Sequence, residues 1–104
     1  MKQDYSRQLP PEWLEISKVF AALGSEQRQR IVLLFDRDEW LNLSQIVEAS
    51  TLSRTPVVHH LKALYDAGIL RRRKAGKEVF YALDTAILEQ SLRDVLDYIR
   101  MNYQ

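Results

Sequence analysis

Seven cations (Arg54, Lys62, Arg71, Arg72, Arg73, Lys74 and Lys77) crowd into residues 53–77 against one anion, Asp66, and both histidines of the chain, His59 and His60, lie among them. That stretch carries +6, whereas the rest of the 104 residues carry −5, so the modest net charge of +1 conceals a polarised molecule. Guanidinium and ammonium groups at this density match a polyanion, and Ser, Thr, His and Lys side chains between them can hydrogen-bond to base edges. Other chemistries find little material. Cysteine is absent, which excludes disulfides, thiolate metal sites, iron–sulfur clusters and thiol redox sensing. There is no glycine-rich phosphate loop and no pair of carboxylates on an apolar background, so nothing is assembled for catalysis and the chain reads as no enzyme.

The elements that must position these cations can be read from spacing. At 104 residues and 46% apolar content, one domain over 1–104 with one core is expected. Pro10 and Pro11 precede WLEISKVFAAL, where Trp13, Ile16, Phe20 and Leu23 recur at helical spacing, so a helix is expected over about 11–23. Gly24 breaks it, and Ser25 can cap a second helix from Glu26 to Phe35. Trp40 to Leu43 reads as a short extended segment, and Ser44 can cap a third helix reaching Ala49 or Ser50. Thr51-Leu52 is a tight connector to a fourth helix that ends at Gly68. Ile69–Arg73 and Glu78–Leu83 read as two strands joined through Lys74-Ala75-Gly76-Lys77. A last helix over about 85–102, capped by Asp84 or Thr85, bears an apolar seam at Leu88, Leu92, Val95 and Ile99. The order is that of a mainly α winged helix-turn-helix (α-α-β-α-α-β-β-α), with its DNA-reading part over Ser53 to Leu83.

On a helical wheel with Val57 at the origin, Leu61 and Leu64 fall within about 40° of it and should pack inward. Thr55, His59, Lys62 and Asp66 then occupy the opposite pole, and Val58 lies on the flank, where it could touch a thymine methyl. His60 sits beside the core stripe and reads as a packed histidine holding a hydrogen bond; His59 points outward. The helix can start at Ser53, with Pro56 in the first turn, or at Thr55, with Pro56 at the first helical position; Ser53 is preferred. The candidate DNA-binding residues are therefore Ser53, Arg54, Thr55, Val58, His59 and Lys62 on the helix, with Arg72, Arg73, Lys74 and Lys77 on the wing as phosphate or minor-groove contacts.

Three stretches, FAALGSEQRQRIVLLF at 20–35, LNLSQIVEASTLSRTPVVHHLKALYDAGIL at 41–70 and RRRKAGKEVFYAL at 71–83, resemble the ArsR/SmtB-type winged-helix repressors of bacteria. Arg28 stands where that family has its Ala-Leu-x-x-x-x-Arg arginine. The resemblance implies a homodimer formed by the first and last helices, with Trp13, Ile16, Phe20, Leu88, Leu92, Val95 and Ile99 as candidate interface residues, and binding of double-stranded DNA by residues 53–63 and the wing. The family's metal sensors place cysteines before the DNA-reading helices, or His and carboxylates on the terminal helix. Here residues 41–49 lack cysteine, and Asp84, Glu89, Asp94 and Asp97 have no histidine near them in sequence, so no metal and no other cofactor is expected. Val58 and Pro56 depart from the family's usual recognition helix, so operator preference does not transfer.

The expected function is a homodimeric repressor on an inverted-repeat operator; the alternative is a winged-helix module whose basic face meets an acidic protein. An effector could be a small molecule near Trp13, Tyr98 or Tyr103, or a protein. With no signal-like N-terminus and no apolar run of about 20 residues, the expected location is the cytoplasm, without a membrane partner.

Overall fold

Proline at a helix start lacks an N–H where none could be bonded anyway, and α1 spans Pro11–Leu23 accordingly, closed by the Gly24 N–H on the Ala21 carbonyl at 3.3 Å. The structure, a computed structural model, describes residues 7–104, so the first six residues of the expected domain lie outside the described residues. The buried face of α1 is Ile16, Val19 and Ala22, whereas Phe20, expected in the same stripe as Ile16, is 44% exposed. The inward stripe is thus rotated by one residue from the expected one.

Ser25 caps α2 (Glu26–Val32) by accepting the Arg28 N–H at 3.3 Å. This helix stops three residues short of the expected Phe35, because its end tightens: Leu34 and Phe35 donate to carbonyls three residues back, at Ile31 and Val32. The tighter turn buries Phe35 and leaves Leu33 exposed. β1 is only Leu41–Asn42, and α3 (Leu43–Ser50) begins two residues earlier than expected. Its cap is Asn42 and not Ser44, since Asn42 and Gln45 form a reciprocal capping box, at 2.9 and 2.8 Å, that Ser44 has no partner to build.

Thr51, left-handed at φ 61°, makes the tight connector, and the Ser50 hydroxyl accepts the Leu52 N–H across it. The next helix, α4, covers Arg54–Asp66 with Ser53 at the cap position, which decides between the two starts, although the Ser53 side chain makes no capping bond. Gly68 ends the turn at φ 81°; its N–H bonds the Tyr65 carbonyl at 3.0 Å and the Ile69 N–H bonds that of Leu64 at 2.9 Å, the two bonds of a Schellman closure.

β2 (Leu70–Ala75) and β3 (Glu78–Leu83) pair antiparallel, and β1 joins the far side of β3 in the order β1-β3-β2. β3 has the expected bounds, whereas β2 runs two residues further than expected: Lys74 pairs with Val79 and Ala75 with Glu78, leaving Gly76-Lys77 alone as the turn. Only its first residue, Gly76, has positive φ, the pattern of the two-residue turns that match strand twist. α5 (Ala86–Tyr103) starts with the Asp84 carboxylate accepting the Ala86 N–H at 3.1 Å. The core joins α1, α2, α3, α4 and the base of β2 through Val19, Ile31, Phe35, Ile46, Val57, Leu61, Leu64, Ile69 and Leu70. Among the described residues, no helix is long and apolar enough to cross a membrane.

Candidate nucleic-acid interface

Val57, Leu61 and Leu64 are at most 1% exposed, so the inward face of α4 is fixed by the core and its opposite face is fixed with it. Thr55, His59, Lys62 and Asp66 all lie on the exposed side, and Val58, 44% exposed, lies on the flank, as the wheel requires. Ser53 and Arg54 are exposed at the helix start. Lys62 Nζ donates to Asp66 Oδ2 at 2.7 Å, one turn along, so a cation of this exposed face carries its own counter-ion. Arg54 and Val58 of α4 share a cleft of about 300 Å³ with Lys77 and Val79 of the wing, which brings the helix start and the hairpin tip to one side.

The wing divides its cations between two faces, because successive side chains of a strand alternate. Arg72 pairs with Tyr81 in the ladder, and its guanidinium lies over the Tyr65 ring of α4, 4.4 Å from the centroid. Arg71 and Arg73 lie on the other face, 5.4 and 4.4 Å from the Trp40 ring centre. Arg72 and Arg73, both expected as phosphate or minor-groove contacts, therefore face opposite ways. Lys74 shares the Arg72 side by alternation, and Lys77 is at the exposed turn.

His60 is packed as expected, and its partners explain Arg28. The Arg28 Nε and Nη2 donate to the carbonyls of Ala22 and Ala21, at 2.6 and 3.1 Å, at the end of α1 where carbonyls lack helical partners. Its Nη1 meets His60 Nδ1 at 3.4 Å, and His60 Nε2 meets Gln27 Oε1 at 2.9 Å. Arginine can only donate, so Nδ1 accepts and the ring proton sits on Nε2, donating to Gln27. Burial, then the charges of Arg28 and His59, hold the His60 pKa below the ordinary imidazole value, which keeps the ring neutral as this bonding needs.

The residues expected at a dimer interface separate into two sets. Ile16 is 3% exposed and belongs to the protomer's own interior; Leu88 packs beside the core, and Val95 is half-buried. Phe20, Leu92 and Ile99 are exposed, and sequence reasoning missed Leu14 and Leu96 beside them. Trp13 is half-buried, edge-on to Tyr98 at 5.3 Å, and Tyr98 meets Tyr103 at 6.0 Å. Leu9, Pro10, Trp13 and Tyr98 line a cleft of about 180 Å³. Also missed were Trp40, Tyr65 and Gln27; the signal for Tyr65 was present, since on the same wheel it falls about 20° from Val58. Among the described residues no three His, Cys, Asp or Glu side chains gather as metal ligands.

Residues 25–72 match the family of bacterial regulatory proteins called arsR. The chain is 34% identical, over 86% of its own length and 71% of the relative's, to a cadmium resistance transcriptional regulatory protein, a CadC homolog, of Staphylococcus aureus. It is 26% identical to the transcriptional repressor SdpR of Bacillus subtilis, over 81% of this chain and 92% of that one. An ArsR-like transcriptional regulator from Rhodococcus sp. RHA1 superposes with a TM-score of 0.77 at 30% identity, over 88% of this chain and 84% of the other. A homodimeric winged helix-turn-helix DNA-binding domain from Mycobacterium bovis shares the fold, with a TM-score of 0.68 at 20% identity over 100% and 96% of the two chains. With this fold, this cation distribution and these relatives, the chain belongs to the arsR family of bacterial regulatory proteins.

Proposed function

We propose that this chain is a transcriptional repressor that binds duplex DNA sequence-specifically as a homodimer, with no enzymatic step. The observation that carries the reading is the exposed face of α4: Thr55, His59 and Lys62 project away from a helix locked by Val57, Leu61 and Leu64, with wing cations to one side. A major groove admits such a helix, and Val58 stands where a thymine methyl would touch it. Ser53 and Arg54 at the helix start, and Arg72, Lys74 and Lys77 on the hairpin, take backbone phosphates; Arg73, across the sheet on Trp40, reaches only the outer flank of the wing.

The dimer reading rests on α5, where Leu92, Leu96, Ile99 and Tyr103 are all exposed and fall within about 60° of one another on a helical wheel. The Mycobacterium neighbour of the same fold is a homodimer. Two recognition helices would then meet successive major grooves about 34–36 Å apart on an inverted repeat. Anisotropy of a labelled duplex tests the reading. Binding should fall by roughly 10³–10⁵ between 50 and 200 mM salt if six to ten phosphates are neutralised, and Thr55→Ala with His59→Ala should abolish preference for the operator. Affinity independent of salt, or an unchanged preference in the double variant, would refute it, and retention of an acidic protein after nuclease treatment would favour the protein-binding alternative.

A further inference from the structure

Between α4 and the wing lies a second cleft, of about 300 Å³, lined by Val58, Lys62, Tyr65, Asp66, Arg72 and Tyr81. Its two cations come from different elements, Lys62 from the helix and Arg72 from β2, and the ladder sets Arg72 opposite Tyr81. The guanidinium lies over the Tyr65 ring at 4.4 Å. That contact occupies a face of the planar group, whereas its N–H donors lie along the edge and stay available to an anion. Lys62 is neutralised by Asp66 at 2.7 Å, so the cleft as a whole holds one uncompensated positive charge. A phosphodiester carries one negative charge. The other two wing arginines are turned away on Trp40.

We propose that this cleft is a seat for a single phosphodiester of the DNA backbone, bound by the edge of Arg72 and by Lys62, with Tyr65 as the positioning residue that holds Arg72 at the groove side of the wing. The proposal rests on the DNA-binding reading and adds a division of labour to it: of the consecutive arginines 71–73, the middle one contacts DNA through this seat. Lys62, already paired on its own helix, shifts from Asp66 toward the phosphate when DNA arrives.

The test is the slope of log affinity against log salt for a fluorescein-labelled duplex, measured for the wild type, Arg72→Ala, Arg73→Ala, Tyr65→Phe and Tyr65→Ala. Loss of one phosphate contact lowers the slope by about 0.9, and the homodimer loses one in each protomer, about 1.8 in all. Arg72→Ala should show that loss with sequence preference unchanged, Arg73→Ala should keep the wild-type slope, Tyr65→Phe should bind as wild type, and Tyr65→Ala should approach Arg72→Ala. Thermal melts of each variant confirm folding, and Tyr65→Phe tests the ring without removing its packing. An Arg72→Ala slope equal to wild type, or a loss seen in Arg73→Ala instead, overturns the seat. Millimolar inorganic phosphate alone should not raise the melting temperature; an Arg72-dependent rise with an unchanged salt slope would mean the cleft takes a free anion and overturns the DNA assignment. Failure of the underlying reading looks different, because the wild type itself would then not bind the duplex.

Discussion

Arg28 and His60 show how one side chain can join three helices. The guanidinium closes the end of α1, stands on α2 and presents a donor to α4, while Gln27 holds the other ring nitrogen of His60. The packed state of His60 was legible because helical periodicity puts it beside Val57 and Leu61. The work of Arg28 was not, since its partners lie 6, 7 and 32 residues away and a long side chain has no periodic signature. The arrangement has a pH consequence. With its pKa lowered in the fold, His60 is neutral where the unfolded chain would already bind a proton. Its contribution to stability is therefore complete above the ordinary imidazole value of about 6.5 and is lost as pH falls from there toward the lowered value. His60→Gln should shrink the difference in denaturant midpoint between about pH 7.5 and pH 5 relative to wild type; equal pH dependence in both proteins would contradict this role.

At the scale of elements, backbone closure explains which glycine is costly to replace. A Cβ on Gly68, at φ 81°, would come 2.5 Å from Ile87 Cδ1 of α5, whereas a Cβ on Gly76, at φ 63°, meets nothing within 4 Å. Each replacement should cost roughly 1–2 kcal/mol of left-handed strain, and Gly68→Ala adds the displacement of the Ile87 methyl, so it is the more costly of the two. Denaturant midpoints at unchanged slope check this, and equal losses at the two sites would contradict it. The same scale shows why some boundaries escaped the sequence. Ser44 and Asn42 are both good cap residues, and only the capping box with Gln45 separates them. The wing turn shrank from four residues to two because strand pairing, a nonlocal interaction, extends β2 through Lys74 and Ala75. Strand alternation was visible in the arginine run, but the aromatic partners that give each face its meaning, Tyr65 and Trp40, come from elsewhere in the chain.

On the scale of the whole molecule, the winged helix-turn-helix and the exposed face of α4 were legible because a strongly periodic helix fixes inside and outside together. The edges of the α5 seam were less so. Leu88 and Val95 lie toward the protomer and Leu92 and Ile99 toward solvent, so the expected seam straddles the boundary between core and free surface, and Leu96 completes the exposed stripe. If that stripe is the dimer face, Leu96→Glu should yield a folded monomer by sedimentation, with unchanged helicity and at least 10-fold weaker operator binding, since removing one of two linked half-site contacts forfeits effective concentration. A Leu96→Glu protein that remains dimeric would place the interface elsewhere.

In the proposed dimer, two copies of α4 read duplex DNA sequence-specifically. Selection from a random duplex library by the purified protein, at about 150 mM salt where nonspecific phosphate binding is weak, tests it most directly. An inverted repeat whose half-sites are centred about one helical turn apart is the predicted product; a folded protein that enriches no sequence would contradict it.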